Sequence, residues 1–97
     1  MSGILEIGSF IVASNEVRGG RPRIAGTGVT VQRVVRWYRL GLTPEEIVDR
    51  IEHLNLAQVF AALAYYHANQ TLVEAEIATD DAVAEQAMNK VTNRATP

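Results

Sequence analysis

Leu42-Thr43-Pro44-Glu45-Glu46-Ile47-Val48-Asp49-Arg50-Ile51-Glu52-His53-Leu54-Asn55-Leu56 is the stretch that decides the fold. Thr43 offers an N-cap oxygen. Pro44 suits a first helical position, where no backbone N–H is needed, and Glu45 and Glu46 bring negative charge to the positive end of the helix dipole. Ile47, Val48 and Ile51 make the apolar face of this helix. It breaks around His53-Leu54, and Asn55 then caps a further helix whose apolar face reads as Leu56, Val59, Phe60 and Leu63.

Upstream, Val31, Val34, Val35 and Tyr38 recur at helical spacing, with Thr30 as the cap and Gly41 as the stop. Before them the period changes. Ile11-Val12-Ala13 (after Phe10), Arg23-Ile24-Ala25 and Val29-Thr30-Val31 read as short extended runs, joined by turns at Gly19-Gly20, Pro22 and Gly26-Thr27-Gly28. Downstream, a helix starts after Asn69 and carries Leu72, Val73 and Ile77. Thr79-Asp80-Asp81 either caps a separate helix bearing Val83, Ala87, Met88 and Val91, or lies within one continuous helix as two exposed aspartates; continuity is favoured. The expected fold is mostly α. A helix-turn-helix trihelical core, homeodomain-like or winged-helix-like, follows short N-terminal β segments and precedes a C-terminal helix. The expected boundaries are a flexible 1–8, a β-containing arm with a Gly/Arg loop at 9–31, a core at 32–68, a C-terminal helix or helices at 69–92 and a frayed 93–97.

Ninety-seven residues suit one small domain with a single core, and dimerisation would add to its stability. The absence of cysteine excludes disulfides and thiolate metal sites and fits a reducing cytoplasm. No apolar run approaches a membrane span and no signal peptide is visible at the N-terminus, so an intracellular, cytoplasmic protein is expected.

The charge is unevenly distributed. Arg18, Arg21, Arg23, Arg33, Arg36 and Arg39 fall in a segment without one acidic residue, yet the formal net charge is -2. Guanidinium groups bind phosphate or carboxylate through paired hydrogen bonds, so this segment is expected to face solvent and meet an anion outside the monomer. Residues 51–97 carry Glu52, Glu74, Glu76, Asp80, Asp81 and Glu85 against Lys90 and Arg94. Such an acidic helical C-terminus suits a basic partner surface.

Gly20-Arg21-Pro22-Arg23-Ile24-Ala25-Gly26-Thr27 with Val29 and Val31, Leu42-Thr43-Pro44-Glu45-Glu46-Ile47, His53-Leu54-Asn55-Leu56 and Ala61-Ala62-Leu63-Ala64-Tyr65-Tyr66 together resemble the prokaryotic domain-of-unknown-function family 433, over roughly residues 10–77. The resemblance implies a helix-turn-helix-like domain and the antitoxin half of a toxin–antitoxin pair, with a PIN-like nuclease as the toxin. Gly28 stands where the family usually has arginine, and Thr30 where it usually has proline. That puts an anion contact at Gly28 in doubt and makes the Gly26-Thr27-Gly28 turn more flexible.

Candidate anion or nucleic-acid contacts are Arg21, Arg23, Arg33, Arg36 and Arg39, with Gln58 and Tyr65 on the third helix; Gln58 has the amide geometry to read adenine. Ala61 and Ala62 are expected beside them, off the apolar face. Trp37, Leu72, Val73 and Ile77 are candidate partner contacts, although Leu72, Val73 and Ile77 equally suit a helix folded back on its own domain. The third helix has no arginine or lysine, and the second carries Glu45, Glu46 and Asp49, which repel phosphate. The glycine-rich loop 19–28 lacks a Walker ending. His53 and His67 have no acidic residues at metal-ligand spacing, and no nucleophile motif surrounds Ser9 or Ser14. A non-enzymatic, DNA-binding regulator without cofactor is therefore expected, as a homodimer and as an antitoxin. The alternative is a protein-interaction module that does not bind DNA.

Overall fold

The computed structural model describes residues 7–95, with side chains over 8–89. Two short strands, β1 (Ile11–Val12) and β2 (Arg23–Ile24), pair antiparallel in the register Ile11 with Ile24 and Val12 with Arg23. Four helices follow: α1 (Val31–Arg39), α2 (Pro44–Arg50), α3 (Leu56–Ala68) and α4 (Gln70–Ala95). Short 3-10 turns at Ile7–Phe10 and Arg18–Gly20 flank the strands. The chain is thus mostly helical with a small N-terminal sheet and a C-terminal helix. The flexible terminus expected at 1–8 falls largely outside the described residues, and α4 runs unbroken through Asp80 and on to Ala95.

Each helix start has a local cause. The Thr30 hydroxyl accepts from the Arg33 N–H at 3.1 Å, which caps α1. Thr43 and Glu46 cap each other's backbone at the head of α2, and Asn55 and Gln58 repeat that reciprocal box at α3. α1 stops at Gly41, whose φ of 97° suits a residue without Cβ. The 51–55 connection turns through His53, exposed and at φ 70°.

Val29-Thr30-Val31 is not a strand. Thr30 makes a single bridge to Arg23 and then serves as the cap, so Val31 already belongs to α1. The Gly26-Thr27-Gly28 turn is also braced. The Thr27 hydroxyl donates to the Ile24 carbonyl at 2.8 Å and accepts from the Val29 N–H at 3.0 Å. Arg18 Nε donates to the Gly28 carbonyl at 3.0 Å, closing the loop over the position where the family arginine is missing.

α3 lies at the centre and packs on α1, α2, α4 and both strands. Val31, Val34 and Val35 of α1, Ile47 of α2, and Ile24 and Ile51 meet there, all fully buried. The buried side of α3 is Val59, Ala61, Ala62, Leu63 and Tyr66. This corrects the expected face. Leu56 and Phe60 point outward at 40% and 52% exposure, whereas Ala61 and Ala62, expected outside, lie within. α3 is apolar on nearly every side, so periodicity could not select which side is covered.

Candidate functional site

Three arginines of the segment, Arg21, Arg36 and Arg39, pair with carboxylates of α4 in the same subunit. Arg21 reaches α4, where Nη1 lies 3.3 Å from Glu76 Oε2 and Nη2 lies 2.7 Å from Asp80 Oδ1. Glu76 and Asp80 are one helical turn apart, so a single planar guanidinium spans both. The other Asp80 oxygen accepts from Gln32 Nε2 at 2.8 Å. Gln32 Oε1 accepts from Arg36 Nε and Nη2 at 3.1 and 3.0 Å, and Arg36 Nη2 pairs with Asp81 Oδ1 at 2.8 Å. Glu76, Arg21, Asp80, Gln32, Arg36 and Asp81 therefore form one continuous polar chain, with Gln32 as its joint. The joint works because a primary amide donates at one end and accepts at the other.

A second contact lies nearer the start of α4. Arg39 Nη1 pairs with Glu74 Oε1 at 3.1 Å, and the Tyr66 hydroxyl donates to Glu74 Oε2. The Tyr66 ring is buried, with Tyr38 edge-on to it at 6.3 Å and His67 at 5.1 Å. His67 is exposed. The hydrogen bond from the Tyr66 hydroxyl to the Glu74 carboxylate holds the Tyr66 proton and raises the Tyr66 pKa above the usual 10.0; burial acts in the same direction. The Asp80 carboxyl is held below its usual 3.8, first by the Gln32 hydrogen bond and then by the Arg21 charge, against the opposing effect of burial.

Arg21, Arg36 and Arg39 are thus each paired with a carboxylate of the same subunit, where the sequence led to the expectation of an anion outside it. The cause is charge placement. The carboxylates of an otherwise unrelated stretch of sequence return on α4 to cover them, and the supposedly exposed Asp80 is half-buried in the network. Arg18 is bound to a backbone carbonyl. Among the described residues, two further arginines of the segment have no carboxylate partner. Arg33 is exposed, and Arg23 holds its Nη1 buried with no acceptor.

Trp37 is half-buried against the core, with the Arg50 guanidinium 5.5 Å from its ring centroid. It shares a shallow hollow of about 270 Å³ with Arg33, Arg36 and Leu40. Val73 and Ile77 are core residues at 1% and 3% exposure, so α4 does fold back on its own domain there; Leu72 alone of the three faces out, at 50%. Gln58 is occupied as the α3 capping-box acceptor, 2.8 Å from the Asn55 N–H, and Tyr65 packs against the core. Among the described residues no group of three His, Cys, Asp or Glu side chains could hold a metal ion, and no helix is long and apolar enough to cross a membrane.

Beyond Asp81 the surroundings of α4 change. Every residue from 81 to 89 is exposed. The face that packs Val73 and Ile77 onto the body continues at the same helical angle through Ala84, Ala87 and Met88, with nothing beneath it; Met88 is 72% exposed and Val83, at its edge, 61%. Sequence reasoning found the apolar residues of this stretch. It missed Gln32, whose only sequence signal is its placement four residues before Arg36 at the start of α1.

The DUF433 family model, described as a protein of unknown function, matches residues 11–66. A crystal structure of a DUF433 member from Anabaena variabilis superposes with a TM-score of 0.67 at 28% identity, covering 72% of this chain and 69% of that one. No curated protein matches the chain.

Proposed function

The chain belongs to the DUF433 family, whose function is unknown, and we propose from its own surfaces that it is a non-enzymatic protein-interaction module of the antitoxin kind. Its globular body holds α4 by an arginine clamp and offers the projecting half of that helix to a partner protein. One observation carries this reading. The apolar stripe of α4 runs past the end of the body, so Ala84, Ala87 and Met88 face open space on the side that elsewhere packs on the core. A helical segment of about 14 residues is marginal in water by itself, and its stability comes from packing of such a face. A partner laid along the stripe would supply that packing. The adjoining clamp carboxylates already have partners, so within the described part of α4 Glu85 is the acidic residue placed to meet a basic group of a partner.

The test is capture with tagged chain from the source cells. The comparison is a variant with Ala84, Ala87 and Met88 all changed to Glu, which leaves the body untouched. One protein retained by the parent chain and lost by the variant is the expected result. Equal retention by both, or nucleic acid as the retained macromolecule, contradicts the reading.

DNA binding is the second reading, favoured by Arg33 and Arg23, which have no carboxylate partner among the described residues, and by the order of α2, turn and α3 along the chain. It rests on fewer cations than the sequence offers. With Arg18, Arg23 and Arg33 alone on phosphates, the slope of log affinity against log salt would be about -3, against about -5 for all six arginines.

A further inference from the structure

α3 is apolar around nearly its whole circumference, the composition of a helix covered on all sides. In the single chain one side is open. Leu56, Ala57, Phe60, Ala64, His67 and Ala68 share an exposed arc of about a third of a turn, with Phe60 half exposed. We infer that this arc is the interface of a two-fold homodimer, in which the α3 helices of two copies pack against each other and Phe60 of each enters the hollow over Ala57 and Ala64 of the other.

Two observations select a second copy as the occupant. The first is charge. A two-fold axis sets a surface against itself, so any patch of one sign meets its own sign. The outer face of α1 carries Arg33, Arg36 and Arg39, that of α2 carries Glu45, Glu46 and Asp49, and the projecting half of α4 carries Glu85 with Lys90 and Arg94. From Leu56 to Ala68 there is no Asp, Glu, Lys or Arg, so α3 is the one helix of the four that meets its copy with no formal charge of its own at the contact.

The second is shape. Phe60 stands between Ala57, three residues before it, and Ala64, four after. Small residues flanking a large one give a knob beside a shallow hole, and small contact residues allow helix axes to approach to about 8 Å.

The experiment uses the full chain, in which the absence of native cysteine makes any introduced thiol unique. Light scattering at high micromolar concentration should give twice the 10.6 kDa chain mass. Phe60→Asp should halve that mass with unchanged circular dichroism, because the side chain is already half in water. Phe60→Cys should be joined into a covalent dimer by a short bismaleimide, and Glu45→Cys on α2 should not. A monomeric parent chain overturns the inference. So does a Phe60→Asp variant that stays dimeric, or equal crosslinking from both cysteine positions.

Discussion

Arg21 Nη2 lies 2.7 Å from Asp80 Oδ1, and 59 residues of sequence separate the two. This contact ties the loop before β2 to the middle of α4, and its neighbours Gln32, Arg36 and Asp81 extend it across the head of α1. A segment that reads as an anion-binding surface is in large part the fastening of the last helix. Exposed ion pairs are individually weak, at about 0.2–1 kcal/mol. Their arrangement in series through one amide makes Gln32 the residue on which both arms depend.

The first prediction concerns that joint. Gln32→Ala should cost about 1 kcal/mol, since Asp80 loses a donor and Arg36 an acceptor together. Arg21→Gln and Asp80→Asn should each cost about 1 kcal/mol or less. In a double-mutant cycle by urea unfolding, the pair should show favourable coupling that shrinks in high salt. Strict additivity of Arg21→Gln and Asp80→Asn would show that the contact does not contribute.

The second prediction is the acid limb of stability. Asp80 titrates below 3.8 in the folded chain because Gln32 and Arg21 favour its ionised form. A carboxyl with a lowered folded pKa contributes stability above its unfolded value and loses that contribution as pH falls through the folded value. Glu46 has the same sign, through its hydrogen bond to the Thr43 backbone. Thermal melts from pH 6 to 2 should therefore show stability falling below about pH 4, and Asp80→Asn should flatten that fall. Tyr66 has the opposite sign. Its raised pKa gives a contribution complete below 10.0 and lost as pH rises through the higher folded value. A Tyr66→Phe chain should lose less stability in strong alkali than the parent.

The third prediction separates core from surface. Ile47 is fully buried where α1, α2 and α3 meet, and Ile47→Ala should cost about 2–5 kcal/mol. That corresponds to a fall of about 10 °C or more in Tm for a domain of this size. Leu40, 73% exposed, should tolerate Ala within about 0.5 kcal/mol.

Helix starts were legible because their causes lie within four residues. Thr30, Thr43 and Asn55 each act on a backbone N–H three positions on, and Gly41 stops α1 by its own backbone. Two features were not legible, for different reasons. On α3 both faces are apolar, so Leu56 and Phe60 looked as inward as Val59 and Leu63. The arginine pairs escaped the sequence because their partners come from α4, 45 and 59 residues away for Arg36 and Arg21, and charge composition carries no register across that distance. Val29-Thr30-Val31 reads as strand by β-branching, yet the capping role of Thr30 governs it.

The fourth prediction addresses α4. Hydrogen exchange should be slow from Val73 to Asp81, where the helix packs on the core and is clamped, and much faster beyond Ala82, where described side chains touch nothing. Adding a bound partner should slow exchange in the second half without changing the first. Uniform protection along α4 in the free chain would contradict a projecting helix.

The most direct test of the clamped arginines is the salt dependence of binding to a fluorescently labelled duplex, measured by anisotropy. With Arg21, Arg36 and Arg39 committed to Glu76, Asp80, Asp81 and Glu74, the account predicts either no binding or a log–log slope no steeper than about -3. A slope near -5 would mean that all six guanidinium groups release from the clamp to meet phosphate, and would contradict it.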